Sequence, residues 1–221
     1  MTITLHGSRF STCTQRVMLV LAELDLSYQL IDIDMGKGEH KAPEYIQGFH
    51  PFGKVPALVD GPMQIFESRA ICRYLLAKYA SAGSSLLLFA SSADYLATFE
   101  QAASIEYSYF EPSISILAYE MMFKRMMGRG EPDIAVVNSS KSKFEEALDY
   151  YDRVLQKQTY LTGNEASLVD MFHIPWLELV PRLNMEGMIL TRPNVRVWWD
   201  RLQRRPAWGK VLRDCALENG P

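Results

Sequence analysis

The chain has 221 residues, 48% apolar and 22% charged, a composition typical of a globular protein with one large domain or two small ones. Its formal net charge of −3 argues against general nucleic-acid binding. No apolar run approaches the roughly 20 residues of a membrane span, and the N-terminus lacks a signal-peptide pattern. Cys13, Cys72 and Cys215 show no zinc spacing, so we expect reduced thiols in a cytoplasmic protein without a metal site.

Strand and helix signals alternate over residues 1–80, which predicts an α/β domain with helices on the faces of one sheet. Asp60-Gly61 lies between two apolar runs and indicates a β-hairpin. Residues 36–41 form a polar loop, and a short helix can follow Pro43. The predicted elements are a strand from Ile3, a helix over Thr12–Leu24, a strand over Tyr28–Ile33, hairpin strands over Ala57–Val59 and Met63–Phe66, and a helix from Glu67.

Strand signals end after residue 80. Residues 81–92 are rich in Ala, Ser and Gly and are predicted to be a linker, and residues 93–221 to be an all-helical domain. Ser167 and Asp170 have the spacing of a capping box. The predicted helices cover Ala93–Met127, with a kink near Pro112, then Asp133–Lys157, Leu168–Leu183 and Asn194–Arg204, and a last one begins at Pro206.

Ser11 stands just before the first helix, and two interpretations of it are open. Serine is favoured at helix N-caps because its oxygen accepts an unpaired backbone N–H. Alternatively, the hydroxyl donates to a thiolate held at the helix N-terminus. Such a hydrogen bond, about 1.5–3 kcal/mol, and the helix dipole, about 0.3–1 kcal/mol, would lower a bound thiol's pKa from about 8.5 to about 5.5–7. Cys13 is a competing nucleophile, although a redox motif would place cysteine where Ser11 stands.

The segment from His50 to Arg73 brings several backbone signals together. The proline of Val55-Pro56 has no N–H, which leaves neighbouring backbone groups free to pair with another chain. Glu67 and Ser68 place a hydroxyl, acceptors and free N–H groups at a helix N-terminus. We therefore expect this segment to bind a short peptide-like or anionic ligand.

Seven motifs in order resemble the phi class of glutathione transferases over the whole chain. They are S-T-x-T-x-R-V from Ser11, G-E-H-K-x-P-E-Y from Gly38, H-P-F-G-K-V-P-A-L from His50, F-E-S-R-A-I-C-R-Y from Phe66, S-L-V-D-M-F-H-I-P from Ser167, R-P-N-V-R-V-W-W from Arg192 and R-R-P-A-W-G-K-V-L from Arg204. The resemblance implies a thioredoxin-like N-terminal domain, a C-terminal helical bundle and a homodimer. It also implies glutathione as co-substrate, with no tightly bound cofactor.

The resemblance also implies roles for single residues, with Ser11 as the catalytic residue that activates the glutathione thiol. The implied glutathione-binding residues are His40, Lys41 and Lys54 toward the glycine end, Val55 with cis Pro56 at the cysteinyl backbone, and Glu67 and Ser68 at the γ-glutamyl end. Lys54 departs from the phi pattern, which commonly has Gln there. A lysine is a point charge without an acceptor, so it cannot reproduce an amide's hydrogen bonds.

Apolar side chains are expected to bind the second substrate. Phe10 and Met35 lie beside the implied glutathione site, and Tyr119 and Phe123 fall one turn apart in the Met-rich long helix. The alternative for each is a place in the packed core.

The resulting function prediction is an enzyme that conjugates the glutathione thiolate to hydrophobic electrophiles, with glutathione-dependent hydroperoxide reduction. One alternative is a non-catalytic carrier for flavonoids or hormones, and another is a thiol transferase that uses Cys13. Phe52 either inserts into a partner subunit or is buried under its own loop, and His173 is expected to be a core histidine.

Overall fold

The computed structural model describes residues 2–81 and 92–216 and contains two compact units. The first comprises residues 1–82 together with 204–221, and the second comprises residues 83–203. The linker predicted over residues 81–92 lies almost entirely outside the described residues. None of the helices in the described ranges has the length and apolar character needed to cross a membrane.

The first unit is built on a four-stranded sheet in the order β2-β1-β3-β4, which confirms the predicted α/β domain. β1 pairs in parallel with β2, and β3 runs antiparallel to both β1 and β4. The elements before the last helix are β1 (Ile3–Gly7), α1 (Thr12–Glu23), β2 (Tyr28–Asp32), α2 (Pro43–Gly48), β3 (Ala57–Asp60), β4 (Met63–Phe66) and α3 (Ser68–Tyr79). The predicted hairpin turns at Gly61, and a single 3₁₀ turn over Glu39–Lys41 interrupts the predicted polar loop.

α11 (Pro206–Ala216) belongs to the first unit, which corrects the predicted extent of the helical domain. Its buried residues include Trp208 and Val211, and the helix packs against α1. Just before it, the Arg205 guanidinium donates to both carboxylate oxygens of Glu23, at 2.5 and 2.8 Å. The loss of strand signals after residue 80 gives no information on where this last helix packs.

The regular elements in the described part of the second unit are helices, apart from an isolated β-bridge between Tyr160 and Gly163. The unit contains α4 (Ala93–Ile105), α5 (Glu111–Ala118), α6 (Lys124–Met126), α7 (Ile134–Leu155), α8 (Leu168–Leu177), α9 (Glu186–Leu190) and α10 (Pro193–Gln203). Two π-helical turns, Glu106–Phe110 and Tyr119–Phe123, divide the long helix predicted over residues 93–127. The first lies just before Pro112, which has no N–H to donate to the preceding turn. α8 is shorter than predicted, and a separate 3₁₀ turn covers Pro181–Leu183.

The capping-box carboxylate of Asp170 is a buried centre of the second unit. One of its oxygens accepts from the backbone N–H and the hydroxyl of Ser167, both at 2.8 Å. The other accepts from the Leu161 N–H at 3.0 Å and the Trp198 indole at 2.9 Å. These bonds join the start of α8 to α10.

His173 is buried, with its ring nitrogens 2.8 Å from the Val169 carbonyl and 3.0 Å from the Tyr151 hydroxyl, as expected of a core histidine.

A second buried carboxylate, Asp60, ties the β3–β4 turn to the end of α3. One of its oxygens accepts from the hydroxyls of Tyr74 and Tyr79, at 2.8 and 2.7 Å, and from the ammonium of Lys78 at 2.6 Å. Burial alone would raise the pKa of Asp60, but the bonds from Lys78 and the two tyrosines outweigh it and hold the pKa below its usual value. The ionised form therefore stabilises the fold.

We expect Asp60→Asn to lower the free energy of unfolding by about 2 kcal/mol at pH 7, because it removes the charge that accepts three hydrogen bonds. A lowered folded-state pKa gives stability that is present above about pH 4 and lost as the pH falls through the folded value. The difference between parent and variant in denaturant titrations should therefore shrink below pH 4. Asp25→Asn, at an exposed left-handed position that asparagine tolerates, is the control. An Asp60→Asn difference independent of pH would contradict this account.

Candidate functional site

The site is built from two helix N-termini of the first unit. Ser11 caps α1, Glu67 precedes α3, and Ser68 is the first residue of α3. α1 and α3 pack against each other, so the predicted ligand-binding elements lie on neighbouring helices. Unpaired N–H groups and the helix dipole favour negative charge at such positions.

The Ser11 hydroxyl has the geometry of a helix cap. Its oxygen accepts the backbone N–H of Thr14 at 3.4 Å, and its own backbone N–H donates to the Ser8 carbonyl at 2.9 Å. A hydroxyl offers one donor and two acceptor positions, so accepting this bond leaves the proton able to donate. The two interpretations of Ser11, helix cap and thiolate donor, are therefore compatible. The side chain is half-buried.

The start of α3 combines an exposed carboxylate with a buried hydroxyl. Glu67 has φ of 71°, in the left-handed region that non-glycine residues rarely adopt. Such strained residues cluster at functional sites, where the surrounding structure holds them in place. Ser68 is buried, and its oxygen accepts from the Arg16 guanidinium at 2.8 Å.

Sequence reasoning missed Arg16, which appeared only as one letter of a motif. The residue is fully buried on α1, and the guanidinium nitrogen that donates to Ser68 also lies 3.8 Å from the Cys13 sulfur. The available signal was an arginine directly before the apolar run Val17–Leu21, all of which is buried. A buried guanidinium is costly, so its presence indicates a specific partner.

Two loop segments meet at the predicted glycine-binding end. The Lys41 ammonium donates to the Phe52 carbonyl at 3.2 Å, and the Tyr45 hydroxyl donates to the Lys54 carbonyl at 2.9 Å. A Cβ at Gly53, whose φ is 55°, would lie 2.7 Å from the carbonyl oxygen of His40. Only glycine permits this approach. The structure therefore brings the loop of His40 and Lys41 against the backbone of residues 52–54.

His40 belongs to the first of these two loop segments. Burial, and to a smaller extent the charge of Lys41, lower the pKa of His40 below its ordinary value of 6.5. Its buried Nδ1 makes no hydrogen bond to the described residues.

The Val55–Pro56 peptide bond is cis, as the resemblance implies. The β1–β3 and β3–β4 ladders both begin at Ala57, so the backbone groups of Val55 lie outside the sheet. An extended peptide ligand could pair with them in the manner of an added strand.

The residues predicted to line the second-substrate site lie in different units. In the first unit, Phe10 and Met35 are 67% and 41% exposed. In the second, half-buried Tyr119 and Phe123 begin and end a π-helical turn. Their roles stay predictions.

A cavity of about 640 Å³ within the second unit is lined by neither Tyr119 nor Phe123. It lies between α7 and the segment from the end of α4 through α5. Its apolar lining includes Ile105, Tyr109, Pro112, Ile116, Ala147 and Tyr150.

All three cysteines are free thiols. Burial raises the pKa of Cys72 to about 12 and also raises that of Cys215. Within residues 2–81 and 92–216, no group of histidine, cysteine and acidic side chains could hold a metal ion.

Comparison with known proteins decides the family. The N-terminal domain model of glutathione S-transferase matches residues 1–77, and the C-terminal domain model matches residues 107–206. The chain belongs to the glutathione S-transferase family. Glutathione S-transferase PM239X14 of Arabidopsis thaliana is 41% identical over 219 residues, covering 98% of each chain.

Solved structures agree with this assignment. Glutathione transferase F7 from Populus trichocarpa has a TM-score of 0.90 and 30% identity, covering 97% of this chain and 99% of the other. Glutathione S-transferase I from maize, in complex with an atrazine glutathione conjugate, has a TM-score of 0.88 and 29% identity, covering 99% of each chain. The identification as a phi-class glutathione transferase is confirmed. The transferase names of the relatives favour an enzyme over the carrier alternative.

We expect Lys54→Gln to raise the KM for glutathione by about 2- to 5-fold, because it removes an exposed positive charge near the predicted glycine carboxylate. The Tyr45 bond is to the residue's backbone carbonyl, so the loop should keep its position. The pKa of the bound thiol should stay nearly fixed. Steady-state kinetics across pH measures both quantities, and Lys141→Gln, at an exposed position on α7, controls for charge in general. Comparable changes in KM and thiol pKa would contradict the assignment.

Proposed function

We propose that this transferase conjugates glutathione to small hydrophobic electrophiles, with the Ser11 hydroxyl stabilising the glutathione thiolate. The supporting observation is the cap geometry of Ser11, whose oxygen accepts the Thr14 N–H and whose proton is left to donate. The atrazine glutathione conjugate bound by the maize relative is an example of the product class that we propose.

The chemical step is a substitution or addition at carbon. The glutathione thiol first loses its proton to solvent, and Ser11 donates a hydrogen bond to the resulting thiolate without transferring its own proton. The thiolate sulfur then forms a bond to the electrophilic carbon. In a substitution, the bond from that carbon to the leaving group breaks, and the electron pair departs with the leaving group. In an addition, the π bond at that carbon breaks, and its electron pair moves along the acceptor, which then takes a proton from water.

Ionisation alone supplies only part of the acceleration. Lowering the thiol pKa by two raises the thiolate fraction about 25-fold but costs about 6- to 10-fold in intrinsic nucleophilicity. The larger share must come from holding the reactants together in a reactive orientation. We therefore propose that His40, Lys41, Lys54, Val55, Pro56, Glu67 and Ser68 contribute by fixing glutathione at both ends and along its backbone.

We also propose that the same thiolate reduces organic hydroperoxides. The sulfur attacks one peroxide oxygen, the O–O bond breaks, and the departing alkoxide takes a proton to give an alcohol. The glutathione sulfenic acid that results reacts with a second glutathione to give glutathione disulfide and water. Glutathione is thus a co-substrate in both reactions, and we propose no tightly bound cofactor. The free thiols support a cytoplasmic location.

Ser11→Ala should lower kcat/KM for an aryl halide by about 10- to 100-fold at neutral pH, because it removes a hydrogen bond to the thiolate. The deficit should shrink above about pH 9, where the thiol ionises in both proteins. Ser11→Thr keeps the hydroxyl and the cap, so it should keep most of the activity. The same variants can be compared with an organic hydroperoxide. Equal rates for Ser11→Ala and the parent would remove Ser11 from the mechanism.

We propose a homodimer in which Phe52 of each protomer enters the second-unit cavity of its partner. Phe52 is 67% exposed, which excludes burial under its own loop. The cavity of about 640 Å³ has an apolar lining and ample space for a phenyl ring. A two-fold arrangement would form this contact twice. Burying each Phe52 side chain would stabilise the dimer by about 1.5–3 kcal/mol.

Phe52→Ala should weaken dimerisation by about 100-fold or more, because both contacts are lost together. Sedimentation velocity over a concentration series measures the dissociation constant. Phe10→Ala is the matched control, since Phe10 is equally exposed in the same unit. An unchanged constant for Phe52→Ala, or an equal weakening by both variants, would refute this contact.

A further inference from the structure

Arg16 connects the two helix N-termini of the site. It lies on α1, five residues after Ser11, yet its guanidinium donates to the hydroxyl oxygen of Ser68 on α3 at 2.8 Å. Arg16 is fully buried and Ser68 is 5% exposed, so little water competes for this bond. It spans 52 positions of the sequence.

The bond from Arg16 limits which further hydrogen bonds the Ser68 hydroxyl can make. A guanidinium has only donors, so Ser68 must accept from it. An unconstrained serine hydroxyl can turn its proton or its lone pairs toward a ligand. With one lone pair engaged by Arg16, the single O–H is directed away from the guanidinium, and its natural partner is an acceptor outside the helix.

We propose that Arg16 is a positioning residue that orients the Ser68 hydroxyl to donate to the α-carboxylate of the γ-glutamyl residue of glutathione. This inference rests on the proposed function, in which Ser68 holds the γ-glutamyl end. The strained φ of 71° at Glu67 fixes the backbone directly before Ser68. Arg16 fixes the side chain of Ser68, so both are set before the ligand arrives, which lowers the entropy lost on binding.

The test compares two ligands by calorimetry or fluorescence titration. One is glutathione, and the other is 4-aminobutyryl-cysteinyl-glycine, which lacks only the α-carboxylate. Arg16→Met removes the donor and should weaken glutathione binding by about 10-fold or more, because a hydrogen bond to a charged group loses its orientation. Binding of the decarboxylated analogue should change by less than about 2-fold. Arg16→Lys, which keeps a donor, should restore part of the glutathione affinity.

Two further variants separate positioning from a general effect. Adding Arg16→Met to Ser68→Ala should cost little more glutathione affinity, because the hydroxyl to be oriented is already gone. Arg73→Gln is the charge control, since the Arg73 guanidinium donates to the Arg69 carbonyl within α3. The assignment would be overturned if Arg16→Met lost affinity for both ligands equally, or if the losses of affinity in the double variant were additive. The same loss of glutathione affinity in Arg73→Gln would also overturn it.

A measurement on the parent protein covers the case in which the Arg16 variants do not fold. Nitrogen-15 labelling of arginine allows the Arg16 guanidinium protons to be followed by NMR. They should shift when glutathione is added and much less with the analogue, and equal shifts would overturn the proposal. A parent that binds no glutathione refutes the proposed function itself. If the parent binds and conjugates glutathione, but the Arg16 substitutions or NMR shifts affect glutathione and the analogue equally, only the role of Arg16 is refuted.

Discussion

A serine hydroxyl has one proton to donate, and the proposed site depends on the directions in which the hydroxyls of Ser11 and Ser68 can donate theirs. The oxygens of Ser11 and Ser68 each accept an N–H from the protein, from the Thr14 backbone and from the Arg16 guanidinium. Both hydroxyls stand at helix N-termini, where negative charge is favoured. Each hydroxyl therefore keeps one proton to donate, and we propose that Ser11 donates to a thiolate and Ser68 to a carboxylate.

The rest of the first unit holds these donors in place. α1 packs between α3 and the returning helix α11, and Asp60 ties the end of α3 to the β3–β4 turn through three hydrogen bonds. The approach of the His40 carbonyl to Gly53 fixes the loop that carries the predicted glycine-binding residues. We expect a ligand held at both ends to keep little freedom at the reacting sulfur, in line with the large contribution proposed for positioning.

Local patterns in the sequence predicted much of this structure. Asp60-Gly61 marked the hairpin, Ser167 with Asp170 marked the start of α8, and Ser11 and Glu67-Ser68 marked two helix starts. Contacts between residues that are far apart in the sequence could not be predicted from a local pattern. Arg16 meets Ser68 across 52 positions, Gly53 is required by the His40 carbonyl, and α11 returns to the first unit. The π-helical turns were missed because sequence periodicity does not distinguish a wider turn from an α-helical one.

We propose that the Ser11 hydroxyl, at the start of α1, lowers the pKa of a bound glutathione thiol. The most direct test of this proposal is an ultraviolet difference titration of the binary complex with the parent protein, which follows thiolate absorbance without a second substrate. We expect a bound-thiol pKa of about 5.5–7, against about 8.5 for a free thiol. A bound thiol that titrates at the same pH as free glutathione would contradict it.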